Sequence, residues 1–193
     1  MRRNGRTKKR TRVADRVRPQ IKVSWRQPGD FGRSAGFGGD AALSDNWIAL
    51  IPEDPYFVPI EARRVLALNR FMELAPDADQ IEIILSDQVM FFDCGANFER
   101  VTCPSCNADV PIEWWQEQMD ADYQNDGYTL HRLIVPCCGS THTLHTLNYE
   151  WPQGFGRFAI DAMNPNLGML NCEVIAEFES ILEVRLRVIY QHI

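Results

Sequence analysis

Between residues 135 and 145 the chain reads VPCCGSTHTLH, two adjacent cysteines with two histidines close behind. A second pair, Cys103 and Cys106, lies upstream in VTCPSC. At this two-residue spacing a tight turn presents two thiolates to one cation from the same side. Cys137 and Cys138 end a strand-like run, and Gly139 permits the turn that a second such element needs. Cys103, Cys106, Cys137 and Cys138 are therefore candidate ligands of a structural zinc ion. Neighbouring side chains on an extended strand point to opposite faces, so both sulfurs of the doublet reach one ion only where the backbone bends between them. The alternatives are a three-cysteine set completed by His142, one cysteine of the doublet with solvent, or no metal at all. Four thiolates leave no open coordination position and cannot activate water. What such a set does is close the chain between its two halves, contributing folding energy on the order of 10 kcal/mol.

Other chemistries find less support. A thiol-disulfide enzyme built on CPSC would need a helix N-terminus directly behind the motif to lower a thiol pKa, whereas Asn107-Ala108-Asp109-Val110 and Pro111 intervene. A zinc hydrolase using Glu150 or Asp161 as general base, with His142 or His145 as ligands, lacks HExxH or a comparable spacing. Phosphate-binding and dinucleotide-binding glycine motifs are missing, and so is GxSxG. Cys94 and Cys172 read as small buried hydrophobes. His131 and His145 read as ordinary strand residues, and His192 sits at a terminus expected to fray. Trp114, beside the inward Trp115, is either a contact residue or a cover for the sheet.

Charge divides the chain. Residues 1–43 hold 12 Lys/Arg against 3 Asp/Glu, and residues 44–193 hold 8 against 23, so a +9 leader precedes a −15 body. The leader reads as a disordered basic arm with a Gly-rich linker, native or the product of a misplaced start site. Basic arms neutralise phosphates, so nucleic acid is expected there or nowhere; the acidic body repels it. No apolar run approaches the length of about 18 residues that a membrane helix needs. The basic start is followed by no apolar segment with a cleavage site, so a cytoplasmic location is expected, where cysteines serve as thiols or ligands rather than disulfides.

The elements that must hold the cysteines follow from periodicity. Trp47 to Ile51 is a buried strand. A helix opens at Pro59 and stops at Pro76, with Val65, Leu68, Phe71, Met72 and Ala75 inward. IEIILSDQVMFFDCG reads as two strands in a hairpin around Ser86-Asp87-Gln88. Pro111 starts a helix with Ile112, Trp115, Met119 and Tyr123 on one stripe. Asp126-Gly127 marks a turn into the strand-like YTLHRLIVP, and THTLHTLNY reads as another strand. FGRFAIDAM alternates with period two, as a half-buried antiparallel strand does. Asn164 to Gly168 is a loop. Asn171 caps a last helix whose apolar face runs from Val174 to Ile189, with a Glu183–Arg187 pair outside. No internal repeat is apparent. The expected fold is α+β, a largely antiparallel sheet with about three helices and a zinc-knuckle element at residues 101–142, within one acidic domain at 44–193.

CPSC with PCCG resembles the zinc-ribbon and zinc-knuckle class, whose ligands would fall on Cys103, Cys106, Cys137 and Cys138. The second knuckle departs from that class, because its cysteines are adjacent rather than two residues apart. The order CPxC, tryptophan-containing helix, PCCG and NYEWPQGFGRFAI is similar to a group of small bacterial proteins of uncharacterised function. That likeness implies a domain boundary and no activity. The function expected is a non-enzymatic, zinc-stapled interaction domain binding a basic protein, in the manner of an inhibitor or immunity protein. The alternative is a thiol-disulfide protein using CPSC.

Overall fold

The computed structural model describes residues 45–193, together with the backbone of a two-residue strand, β1 (Val23–Ser24). The rest of the expected leader, residues 1–43, lies outside the described residues. In chain order there follow β2 (Asn46–Pro52), α1 (Glu61–Leu74), β3 (Gln80–Phe92), β4 (Val101–Thr102), α2 (Ile112–Asp122), β5 (Tyr123–Gln124) and β6 (Gly127–Tyr128). Then come β7 (Leu133–Ile134), β8 (Thr141–His142), β9 (Asn148–Tyr149), β10 (Gly154–Met163), α3 (Cys172–Leu182) and β11 (Leu186–His192). The main sheet runs β11-β2-β10-β3-β6-β5, antiparallel throughout, and β1 pairs with β3 in parallel. This is the α+β architecture expected, with three helices among the described residues.

Strands β2 and β10 are central, and both of their faces are covered. Helices α1 and α3 pack on one face, where Leu50, Phe158, Ile160, Phe71 and Phe178 form the largest core. The other face holds Ala49, Ile51, Ile84, Ala159 and Ile189. Alternation in FGRFAIDAM therefore overstates exposure: Ala159 and even Asp161 are buried, so both faces of the strand are closed. On α1, Ala67 takes the inward place expected of Met72, which is exposed.

Four expectations fail for reasons the neighbours make plain. β3 is one strand of 13 residues, and Ser86-Asp87-Gln88 is a bulge within it rather than a turn. The pairing of β10 slips between Gly156↔Met90 and Phe158↔Leu85, and Arg157 fills the gap by donating from Nε to the Ser86 carbonyl at 3.2 Å. Bulges and turns favour the same short polar residues, so local composition does not separate them. The last helix ends at Glu183, in the left-handed region at φ 58°, and Leu186 and Ile189 belong to β11. Glu183 pairs with Arg63 of α1, not with Arg187, whose Nη1 donates to the Gln153 carbonyl at 2.8 Å. His192 is in turn held in β11 opposite Asn46, so the terminus is paired rather than frayed. Asn171 does cap α3, accepting from the Val174 N–H at 2.9 Å.

Candidate metal centre

A second core lies beyond β3, where Val101, Cys103, Val110, Met119, Leu133, Val135 and Leu144 pack with Trp114 and Trp115 against it. Trp114 thus covers this core. The backbone here is built from two short hairpins. In the first, Val110 N–H donates to Val101 O at 2.9 Å and Thr102 bridges Asp109; in the second, β7 pairs with β8 through Leu133↔His142 and Ile134↔Thr141.

The tips of the two hairpins match bond for bond. Cys103 N–H donates to Ala108 O and Asn107 N–H to Cys103 O, at 2.9 and 2.8 Å. Val135 N–H donates to Ser140 O and Gly139 N–H to Val135 O, both at 2.9 Å. Asn107 and Gly139 occupy the same left-handed position, at φ 58° and 72°. VTCPSCNADV and LIVPCCGSTH are therefore one backbone unit used twice, with Pro104 matched to Pro136 and Cys106 to Cys138. The repeat escapes sequence reading because only that proline and that cysteine are shared. The first cysteine position of the second tip is Val135, fully buried like Cys103, and its missing sulfur is supplied by Cys137, which matches Ser105. The turn between Pro136 and Gly139 bends the backbone within the doublet, which is what the adjacent cysteines require.

All four sulfurs lie within 4.8 Å of one another, with Cys103 Sγ 3.7 Å from Cys138 Sγ and Cys106 Sγ 3.4 Å from Cys137 Sγ. These are free thiols; a disulfide would need about 2.05 Å. A tetrahedral ion with bonds of about 2.3 Å to sulfur separates its ligands by about 3.8 Å, so the cluster has the size a zinc ion needs. Ser140 Oγ lies 3.4 Å from Cys103 Sγ and 3.1 Å from Cys138 Sγ. That hydroxyl outweighs the opposing effect of burial and, with the N–H groups of Ser105 and Cys106, brings the Cys103 thiol down to about 5. Ser140 lowers Cys138 as well, through its hydroxyl and its N–H. Burial, then contact with the other thiols, pushes Cys137 up to about 12. Ser140 is a residue the sequence reading missed, although it stands where Ala108 does in the first tip.

Other cysteines and histidines fall elsewhere. His142 Nε2 is 2.8 Å from Ser105 Oγ, joining one hairpin tip to the other hairpin's strand. Cys94 is buried, as expected, with Sγ 3.5 Å from Gln153 Oε1, and burial lifts its thiol to about 11. Cys172 is exposed at the start of α3, contrary to the buried role expected, because the first turn of α3 faces outward. His145 lies not on a strand but in a single helical turn at Leu144–Thr146, buried, with Nε2 donating to Glu53 O at 2.7 Å. His131 caps the carboxylate of Asp122, a buried acid that also accepts from Thr129 Oγ1 and from the Leu130 N–H at 2.8 Å. Those bonds outweigh burial and hold Asp122 below its usual range. They also hold Leu130 at φ 53°, which is why YTLHRLIVP breaks into two short strands. Glu150 pairs with Arg100 and Asp161 stands opposite Glu82 on β3, so neither joins the sulfur cluster.

Searches against family models, curated proteins and solved structures give no match to this chain. Among the described residues no helix is long and apolar enough to cross a membrane.

Proposed function

We propose that this chain is a non-enzymatic interaction domain whose Cys103, Cys106, Cys137 and Cys138 hold one structural zinc ion, and whose acidic body docks a basic protein. The observation that carries the metal reading is the convergence of four sulfurs within 4.8 Å from the tips of two matched hairpins. An all-thiolate set suits a borderline-soft ion such as zinc, which has no redox chemistry of its own. When bound, the ion neutralises thiolates and fastens the two tips; with four protein ligands it leaves no position for a substrate. Ser140 and the turn N–H groups orient the sulfurs from outside the ligand set. The body's charge of −15 favours a cationic partner by speeding encounter and rejecting anions. An inhibitor or immunity protein masking a basic toxin is the specific form of this reading. CPSC is separated from α2 by Asn107 to Pro111, which disfavours the thiol-disulfide alternative.

Metal analysis of the purified chain tests the staple. One zinc per chain is expected, lost in Cys103→Ser, Cys106→Ser, Cys137→Ser and Cys138→Ser and kept in His142→Ala. A chain whose residues 97–151 stay folded while metal-free under a strong chelator overturns it, and a reversible two-electron titration of that chain would favour redox chemistry instead. Capture of one basic protein from native lysate, released by salt, is the result expected for the partner.

A further inference from the structure

A cleft of about 770 Å³ opens at the far end of the main sheet, where β2 begins and β10 and β11 end. It is lined by three aromatic rings, Trp47, Trp151 and Tyr190, and by the side chains of Asp45, Asp79 and Asn164. The Asn164 amide is bound to both acids at once: Nδ2 donates to Asp45 Oδ1 at 3.0 Å and to Asp79 Oδ2 at 2.8 Å. One neutral donor thus holds two negative groups within 6 Å of each other. Among the described residues neither acid meets a cation, and no lysine or arginine lines the cleft.

We propose that this cleft is a docking pocket for an arginine or lysine side chain carried on an extended basic segment of a partner protein; the proposal rests on the interaction-domain reading above and names its contact site. Its volume falls in the range of sites that enclose a ligand of several residues' bulk, about 300–1,000 Å³. Aromatic faces attract a cation through the ring quadrupole, tryptophan most strongly, and partial desolvation in a cleft strengthens that attraction. The two carboxylates supply the opposite charge. Phosphates and other anions are rejected by the same pair. Asn164, held by the loop that begins at φ 45°, keeps the two acids at fixed spacing and so pre-organises the site.

The test uses the full, zinc-loaded chain and three capped octapeptides of alternating glycine with arginine, with citrulline, or with glutamate, titrated calorimetrically. The arginine peptide is expected to bind, and citrulline, its neutral near-isostere, roughly tenfold or more weakly. Asp45→Asn and Asp79→Asn should each weaken the arginine peptide several-fold with zinc content and melting temperature unchanged. Glu117→Gln, on the exposed face of α2, should not. Trp151→Phe provides a second, milder probe should either acid variant fold poorly. No binding of the arginine peptide, equal binding of the citrulline peptide, or indifference to both acid substitutions overturns the pocket while leaving the staple intact. Loss of zinc from the parent chain overturns the staple and is read separately.

Discussion

At the scale of single residues, the centre depends on a displaced cysteine. Spacing alone brought out Cys103 and Cys106, because CxxC is a pattern that one turn explains. The doublet was legible as well, with Gly139 as its turn residue; what composition does not show is that its turn repeats the first, through backbone bonds between Val135 and both Gly139 and Ser140. If the two tips are equivalent, a sulfur placed at Val135 should serve as Cys103 does. The double variant Val135→Cys, Cys137→Ser is therefore expected to keep one zinc per chain, whereas Cys137→Ser alone loses it; metal analysis of the two decides. The left-handed position also carries a prediction. Gly139 sits at φ +72° with open space around it, and Asn107 already occupies the matching site, so Gly139→Asn should cost less than about 1 kcal/mol and Gly139→Val clearly more, by urea denaturation. His145 gives a pH dependence. Burial lowers its pKa from 6.5, and its Nδ1 already accepts the Phe155 N–H at 3.3 Å, which leaves no room for a second proton. The unfolded chain takes up that proton near 6.5 while the folded chain does not, so stability falls as pH drops below about 6.5. Denaturation curves between pH 8 and 5 should show a shallower fall in His145→Gln than in the parent.

Elements were legible where one face was apolar and one force dominated. β2 follows from its continuous apolar run, α1 and α2 from their periodicity, although Tyr123, expected on the α2 stripe, is exposed in β5, and the Asn171 cap from a side chain that accepts a helix N–H. Where tertiary pairing decides, local pattern misleads. The run from Val174 to Ile189 keeps a helical stripe, yet the chain leaves the helix at Glu183 because Glu179 is taken up at its end. Its backbone carbonyl accepts the Val184 N–H at 3.2 Å and its Oε1 accepts the Leu186 N–H at 3.0 Å, which turns the chain into β11. β11 then gains a seven-residue ladder with β2, more backbone bonding than a further helical turn would give. The two helices are joined over the sheet by the ring pair Phe71–Phe178, one ring from α1 and one from α3, with centroids 5.4 Å apart and both side chains fully buried. Phe178→Ala should cost about 3–5 kcal/mol in unfolding free energy, through lost transfer energy and the cavity left behind. A loss below about 1 kcal/mol in calorimetry would mean that α3 is not anchored by this contact.

Across the whole molecule the two cores differ in what holds them. The first is the sheet with α1 and α3 laid on it, sustained by the long ladders of β2, β3, β10 and β11. The second has strands of only two residues, β4 with β9 and β7 with β8, around the sulfur cluster and under α2. Two-residue hairpins are not stable alone. Their integrity therefore has to come from packing on Phe155 and Val89 of the main sheet and, on the proposed reading, from an ion that would fasten Cys103 and Cys106 to Cys137 and Cys138. Removing the ion should then uncouple the halves rather than unfold the chain at once. In hydrogen exchange followed by mass spectrometry, chelation is expected to strip protection from residues 97–151 while β2, β10 and β11 stay protected. Returning zinc should restore the protection, and calcium should not, since thiolates bind it poorly. Uniform loss across the sheet would mean that the ion holds one cooperative unit, and no loss anywhere would mean that packing alone sustains the second core.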